Sequence, residues 1–431
     1  MTELSKKSTT SEIVDAGLRR RNSSETRFKT YGMAAIAIAM TFLASLLVTI
    51  AVTGSSALRQ TVVMLEIDAN AGDLGVTAQP SRADLEGADY NGLIKGALRA
   101  EFSDVRKRRD KRKLYALVSS GAEFELRDRI LADPALVGTR FQFPALASDD
   151  VDMAVKSGLG HDSSGQKGRL KDRQVQWIQS LDRNGSIETQ FNWTFFSGGD
   201  SREPELAGIL GATVGSLLSL LVCLALSFPI GVLAAIYLEE FAAKNRMTDL
   251  IEVNINNLAA VPSIVYGLLG LAVFLNWAGL PRSAPLVGGM VLALMTLPTV
   301  IIAARAALKA VPPSIREAAL GLGASTMQSV YHHVVPLAMP GILTGTIVGM
   351  ARALGETAPL LMIGMVAFIA DVPGGVTEPA TALPVQIYLW ADSAERAFVE
   401  KTAAAIVVLI AFLITMNMSA VWLRKRLEHR Y

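Results

Sequence analysis

The chain has 431 residues, of which 51% are hydrophobic and 19% are charged, and its 41 basic and 39 acidic residues leave a net charge of +2. This balance is typical of a membrane protein rather than of a soluble protein of the same length. The near-neutral charge gives no reason to expect a nucleic-acid partner. The single cysteine, Cys223, excludes an intrachain disulfide, and with four histidines we expect neither a metal site nor a catalytic triad.

The first apolar stretch, residues 32–54, is long enough to cross the hydrocarbon core as a helix. It follows a polar tail, residues 1–31, that contains a cluster of basic residues between Arg19 and Lys29. A secretory signal peptide has a shorter apolar region of about 7 to 15 residues. We therefore expect an uncleaved signal anchor.

Residues 55–204 are charged and contain no long apolar run. Strand-like pieces such as Thr61–Ile67 and helix-like pieces around Asn91–Leu117 predict an α+β domain outside the membrane. Residues 105–113, VRKRRDKRK, are seven basic residues in nine. This run is interpreted as a solvated face, the alternative being a patch for an anion or an acidic partner. The sequon at Asn192 is attributed to composition.

Residues 205–423 carry five more apolar stretches, which makes six predicted spans and an all-α polytopic fold. These five lie near Ala207–Leu238, Val253–Trp277, Leu286–Leu308, Leu337–Ala370 and Ala403–Leu423. Gly355 and Pro359 predict a kink or break in the fifth span. Basic residues place the N-terminal tail, the loop 309–336 and the tail 424–431 in the cytoplasm, so that residues 55–204 are periplasmic.

The loop 309–336 contains the sequence of a short helix. Pro312 and Pro313 end the preceding helix, and Ser314 with Glu317 has the spacing of a capping box. One apolar face follows, and a second helix is predicted to begin near Ser325. That face is formed by Ile315, Ala318, Ala319 and Leu322. It is either a docking surface for another protein or a connector packed on its own bundle.

Arg352 and Glu356 are the only charged residues between Leu337 and Ala370. A charge at the centre of a span costs about 3 kcal/mol, so such residues face a bundle interior or a water-filled cavity. One interpretation is a structural ion pair. The other is a transport-path site in which the Arg352 guanidinium receives an oxyanion, because its planar donors suit phosphate oxygens.

The segment EAALGLGA, followed at a distance by Pro336, resembles the EAA motif of the membrane subunits of ATP-binding-cassette (ABC) importers. The resemblance implies that Glu317, Ala318, Ala319 and Gly323 belong to a helix that couples to a cytoplasmic ATPase. Because this chain lacks a G-x-x-x-x-G-K-[ST] stretch, ATP and Mg²⁺ are expected to bind to that partner and no cofactor to this chain. His333 and Val335 depart from the usual isoleucine and leucine.

The segments RALGETAPLL, 352–361, and NLAAVPSIVYGLLG, 257–270, together with the EAA loop, resemble the PstA family of phosphate-importer permeases. This resemblance covers about residues 205–430. It implies the type I ABC importer permease fold in a bacterial inner membrane, and phosphate passage at Arg352 and Glu356. It also implies a PstC-like second permease, a PstB-like ATPase and a periplasmic PstS-like phosphate-binding protein.

Two alternatives to a phosphate permease remain open from the sequence. The same architecture could carry sulfate, molybdate or another solute. A polar domain on a membrane anchor could also be a receptor or sensor, although such a protein needs a cytoplasmic output domain and the predicted cytoplasmic segments are short.

Overall fold

The computed structural model describes residues 10–77, 80–158, 170–366 and 368–427. The chain divides into two compact units, Met1–Thr53 and Gly54–Tyr431. The first unit is helical: α1 runs over Thr10–Ser56, and its part from Asn22 onward is long and apolar enough to cross a membrane. The predicted polar tail is therefore helical from Thr10. Residues 1–9 of that tail and residues 428–431 of the C-terminal tail lie outside the described residues.

The second unit begins with an α+β domain, here called the inserted domain, which confirms the predicted class. Its three-stranded antiparallel sheet has the order β2-β1-β3. The strands are β1 (Arg59–Asp68), β2 (Arg140–Leu146) and β3 (Ile187–Phe191). The helices are α2 (Ala71–Leu74), α3 (Arg82–Glu86), α4 (Tyr90–Glu101), α5 (Arg108–Tyr115), α6 (Ala122–Ala132), α7 (Asp149–Lys156), α8 (Asp172–Arg183) and α9 (Trp193–Ser197).

The helix-like pieces predicted around residues 91–117 are two helices, α4 and α5. The chain leaves helical geometry at Phe102, whose side chain is buried in the domain core together with that of Val105. Burying these two apolar side chains stabilises the turn between the helices.

The remainder of the second unit is a helical bundle. Its helices are α10 (Leu210–Ile236), α11 (Arg246–Ala259), α12 (Ser263–Gly270), α13 (Pro285–Lys309), α14 (Pro313–Gly321), α15 (Thr326–Ser329), α16 (Val335–Gly355), α17 (Ala358–Met362), α18 (Leu383–Ala391) and α19 (Ala397–Leu427). Short π-helical segments extend α10 to Phe241 and α12 to Trp277, and another joins α15 to α16.

Among the described residues, five helical stretches are long and apolar enough to cross a membrane, and a bent pair makes a sixth candidate. The stretches are Asn22–Ser56, Leu210–Phe241, Pro285–Lys309, Thr326–Gly355 and Ala397–Arg426. The bent pair is Arg246–Ala259 with Ser263–Trp277, at 99°. These findings agree with the predicted polytopic all-α fold, and the sixth predicted span is present if the bent pair counts as one.

The apolar stretch Val253–Trp277 was predicted as one helix. The 99° bend between α11 and α12 corrects that prediction. Pro262 stands directly before α12 with extended backbone geometry. Proline offers no N–H and disfavours a helical conformation at the preceding residue, so α11 ends here and α12 starts anew.

Helices α13 and α16 approach closely because small residues line their contact. A Cβ placed on Gly341 would lie 2.7 Å from the Ala307 Cβ, and one on Gly349 would lie 2.9 Å from the Thr296 Cγ2. Gly345 lies against Ala303 in the same row. Spacing small residues four apart lets backbones meet inside a membrane, where packing rather than water exclusion drives association.

The fifth predicted span, Leu337–Ala370, is not one helix. α16 ends at Gly355, Glu356 has extended backbone geometry, and the short α17 begins with Pro359 in its first turn. The break predicted from Gly355 and Pro359 is thus confirmed. The described residues between α17 and α18, 363–366 and 368–382, lack helical geometry. α18 is a helix that the sequence did not suggest.

Candidate substrate-pathway and ATPase-coupling sites

Arg352 and Glu356 meet at the end of α16. Arg352 occupies the last turn of that helix, and its Nε lies 3.5 Å from the Glu356 Oε1. The Arg352 side chain is 56% exposed and that of Glu356 is 19% exposed. A separation of 3.5 Å is longer than a strong hydrogen bond between charged groups. The guanidinium is therefore loosely paired and accessible, and the partial negative charge of the helix C-terminus supports its position.

The two segments that carry the PstA resemblance, 257–270 and 352–361, lie side by side. α12 packs on α17 so closely that a Cβ on Gly267 would lie 2.7 Å from the Cα of Pro359. The Tyr266 hydroxyl donates a hydrogen bond of 2.7 Å back to the carbonyl oxygen of Leu258, on the other side of the 99° bend. The bend before α12 and the break after α16 are therefore packed against each other. The non-helical backbone at these two places lies next to Arg352 and Glu356. In membrane proteins, such backbone is tolerated where it lines a cavity or is buried in protein.

The predicted coupling helix forms as α14, but its beginning differs from the prediction. Pro312 is the N-cap, Pro313 is the first helical residue, and no side chain caps this end. The capping box of Ser314 with Glu317 is therefore wrong, because Pro313 already fits the first helical position and shifts Ser314 inside the helix. The capping box occurs instead at Ser325, which starts α15 as predicted.

Gly323 has a positive φ of 88° directly after α14, in the left-handed region that side chains with a Cβ disfavour. Its N–H donates to the carbonyl oxygen of Leu320, which closes the end of the helix. This geometry gives Gly323 a structural reason to be glycine, namely the sharp turn from α14 into α15.

The apolar face of α14 is divided between the bundle and solvent. Ala319 is buried against the chain's own residues and Ile315 is half-buried. Leu322 is 91% exposed, and Glu317 and Ala318 are exposed as well. One side of α14 thus packs on the bundle, as the connector interpretation expects, while Leu322 is exposed; docking of another protein on this face stays a prediction.

Two ion-pair networks next to α14 were missed by sequence reasoning, which used Arg305 and Arg316 only to orient the spans. Arg316 Nε donates to both oxygens of Glu240, at 3.2 and 3.0 Å. Arg305 lies 3.3 Å from Glu239 and 3.0 Å from Glu252. The sequence does show two adjacent acids, Glu239 and Glu240, at the end of an apolar stretch, but nothing in it identifies their partners.

The basic run 105–113 is mostly exposed and contains most of α5. Its one acid, Asp110, pairs with Lys113 at 3.6 Å and with Arg173 of α8 at 2.5 Å.

The Asn192 of the sequon is buried, caps α9 through its side-chain oxygen, and donates to the carbonyl oxygen of Ala57. Asn192 therefore has a structural role.

Charged residues are also buried where the inserted domain meets α19. Lys401 Nζ donates to the carbonyl oxygen of Ala207 at 2.6 Å, and Lys156 of α7 lies 3.4 Å from Glu400. Glu205 is only 7% exposed, and one of its carboxylate oxygens has no hydrogen-bond partner. Burial raises the pKa of Glu205 to about 7.

Cys223 is buried and free. Within the described ranges, no group of three or more His, Cys, Asp and Glu residues is arranged to hold a metal ion.

Comparison with known proteins identifies two regions. Residues 227–431 match a family described as the binding-protein-dependent transport system inner membrane component, and residues 15–164 match a domain of unknown function, DUF3333. The second match includes α1 and most of the inserted domain.

Individual relatives agree with the first of these matches. The phosphate transport system permease protein PstA 1 of Mycobacterium tuberculosis is 33% identical over 233 residues, which cover 54% of this chain and 75% of that protein. The probable ABC transporter permease protein YqgI of Bacillus subtilis is 29% identical over 250 residues, which cover 54% of this chain and 84% of that protein.

Among solved structures, an inward-facing MetNI methionine ABC transporter aligns with a TM-score of 0.40 and 16% identity, over 52% of this chain and 95% of that one. The family match decides for a permease, which has no ATPase site of its own, and against a membrane-anchored receptor. The chain belongs to the family of binding-protein-dependent transport system inner membrane components, the multi-pass permeases of bacterial ABC importers that include the PstA proteins.

Proposed function

We propose that this chain carries inorganic phosphate inward as one half of a heterodimeric permease. The observation that carries the proposal is the state of Arg352, a guanidinium that is 56% exposed and joined to Glu356 only at 3.5 Å, inside an otherwise apolar segment. A sealed structural pair would be short and buried. A loosely paired guanidinium can exchange its carboxylate for the oxygens of an entering anion.

The choice of phosphate among oxyanions draws on the relatives. The Mycobacterium tuberculosis protein is described as a phosphate transport permease. Arg352 and Glu356 both lie within residues 227–431, the region that matches the permease family. Sulfate and molybdate offer similar oxygen acceptors, so chemistry at Arg352 alone does not select among these anions. Competition between them is therefore part of the test.

The proposed partners follow from the family. A PstC-like permease completes the pore, a PstB-like ATPase binds ATP and Mg²⁺, and a periplasmic PstS-like protein delivers phosphate. Both termini and α14 face the cytoplasm, where the surface around Glu317, Ala318 and Leu322 contacts the ATPase, and the Gly323 turn presents it. The inserted domain lies in the periplasm. ATP-driven closure moves α14 and exposes the Arg352 region alternately to the two sides.

The test of the substrate is uptake of labelled phosphate, at limiting phosphate, by cells that lack this gene and carry it on a plasmid. Wild type is expected to restore uptake, and Arg352→Gln to reduce it to background while membrane insertion and ATPase recruitment stay normal. Arg282→Gln, which removes an exposed arginine outside the helices, is the matched control and is expected to behave as wild type. Restored uptake that sulfate suppresses as well as phosphate does would contradict the choice of phosphate.

The docking surface is tested separately by co-purification of the ATPase. Leu322→Asp places a charge on the most exposed apolar side chain of the loop and is expected to release the ATPase. Leu322→Met keeps the apolar contact and should retain it. Full recruitment by the Asp variant would show that the ATPase binds elsewhere.

A further inference from the structure

The Arg316 guanidinium joins three separate elements of the bundle. It binds Glu240, at the π-helical end of α10, through two nitrogens. Its Nη1 donates to the carbonyl oxygen of Val311 at 2.8 Å, and its Nη2 donates to that of Leu308 at 2.9 Å. Those two carbonyls belong to the last turn of α13 and the linker after it, so Arg316 also caps α13 from its place in α14.

This contact is enclosed. The Glu240 side chain is 7% exposed and that of Arg316 is 24% exposed. A buried carboxylate is strongly destabilising unless a partner compensates it, and bidentate contact with a guanidinium is the strongest pairing available to it. The Glu240 carboxylate also raises the pKa of Arg316, which keeps the guanidinium charged at every physiological pH.

The linker between α13 and α14 shows why such a contact matters. Only Ala310, Val311 and Pro312 separate the two helices. If nothing spanned this linker, rotation of its backbone could absorb a displacement of α14 before that displacement reached the spans. Arg316 bridges the linker on one side and reaches α10 on the other.

We propose that Arg316 and Glu240 form a latch that makes α14 move as one body with the adjacent ends of α10 and α13. Arg316 is then a positioning residue for ATP-driven transport, acting through the spans and not on the substrate. This inference rests on the proposed coupling role of α14. It predicts that without the latch ATP hydrolysis continues while less substrate crosses per ATP.

The deciding variant is the double substitution Arg316→Gln with Glu240→Gln. Each single substitution leaves a buried charge or a set of unpaired groups, whereas the double variant removes both charges and is expected to fold. The complete importer, with its partners, is reconstituted in vesicles, and ATP hydrolysed is measured against phosphate accumulated. The double variant should co-purify with the ATPase and hydrolyse ATP, yet transport about tenfold less phosphate per ATP.

The matched control is Lys309→Gln, which removes one exposed positive charge from the end of α13 without touching the latch. It is expected to keep the wild-type ratio. A double variant with the wild-type ratio would overturn the proposal, because the pair would then serve stability alone.

A second measurement follows the latch without depending on the transported solute. Spin labels are placed at Ser314→Cys, on α14, and Lys244→Cys, just after α10, in a Cys223→Ala background; both label positions are exposed. The distance between the labels should stay constant when ATP and vanadate trap the wild-type importer, and should shift by up to about 5 Å in the double variant. A distance that shifts equally in both proteins would overturn the latch. Absent phosphate transport by wild type would contradict only the proposed substrate.

Discussion

Two arginine–glutamate pairs in this bundle differ in almost every physical respect. Arg316 and Glu240 are 76 residues apart in sequence, enclosed, and joined by two nitrogens with two further bonds to carbonyl groups. Arg352 and Glu356 are four residues apart, and the arginine is 56% exposed with one contact at 3.5 Å. An enclosed pair is costly to break and suits a mechanical link, whereas an open pair can exchange one partner for a ligand.

The largest expected effect on stability compares the two arginines directly. Arg316→Gln leaves the Glu240 carboxylate buried without its partner and is expected to lower the free energy of unfolding by about 3 kcal/mol. Arg352→Gln, at an open pair, should lower it by no more than about 1 kcal/mol. Thermal unfolding of the purified complex gives both values. Equal losses would remove the distinction between the pairs.

The buried carboxylate of Glu205 is compared with that of Glu240, because Glu205 has no arginine partner among the described contacts. Burial raises the pKa of Glu205 from 4.5 to about 7, so the folded state binds a proton more tightly than the unfolded state does. The contribution of Glu205 to the free energy of unfolding is then most favourable below about pH 4.5. It falls as the pH rises to about 7 and stays low above that pH. Glu205→Gln should therefore stabilise the protein by about 2 kcal/mol at pH 8 and leave it unchanged near pH 4.5.

Unfolding of the Glu205→Gln variant and of wild type is measured at both pH values. The variant Glu188→Gln, which removes an exposed carboxylate on β3, is the control and should follow the wild-type pH dependence. A gain for Glu205→Gln that is the same at both pH values would assign the effect to packing rather than to proton binding.

A smaller effect is expected from the carboxylate of the open pair. If Glu356 competes with the entering anion for Arg352, Glu356→Gln removes that competitor and should lower the apparent KM for phosphate about fivefold, equivalent to about 1 kcal/mol. Initial uptake rates over a range of phosphate concentrations give this value. A raised KM would show that Glu356 positions the guanidinium instead of competing for it.

The smallest effect sets the baseline for both pairs. Arg82 and Glu86 form an ion pair on the surface of the inserted domain, with side chains 83% and 58% exposed. Arg82→Ala should change the free energy of unfolding by less than about 0.5 kcal/mol, because water and salt screen such a pair. A loss comparable to that of Arg316→Gln would mean that burial does not rank these pairs.

The spans were predictable because the bilayer fixes both their length and their apolar composition. The bend at Pro262 was not, since proline inside a span is either tolerated or breaks the helix according to its neighbours, here α17 against Gly267. The contact of Arg352 with Glu356 followed from local spacing. That of Arg316 with Glu240 joins distant segments, so no local pattern contains it. The false capping box at Ser314 shows that a spacing rule fails when a neighbouring proline sets the helix start.

The buried lysine of α19 has a consequence for how this permease could be reduced or recombined. Lys401 lies within the last span at 5% exposure, and its ammonium group is held by the carbonyl oxygen of Ala207 beneath the inserted domain. Excising residues 55–204 would keep the Ala207 carbonyl but would remove the Phe195 ring, whose centroid lies 5.5 Å from the Lys401 Nζ. A minimal transporter, or a chimera built on a relative without the insertion, therefore changes the surroundings of Lys401, so the insertion and position 401 have to be redesigned together.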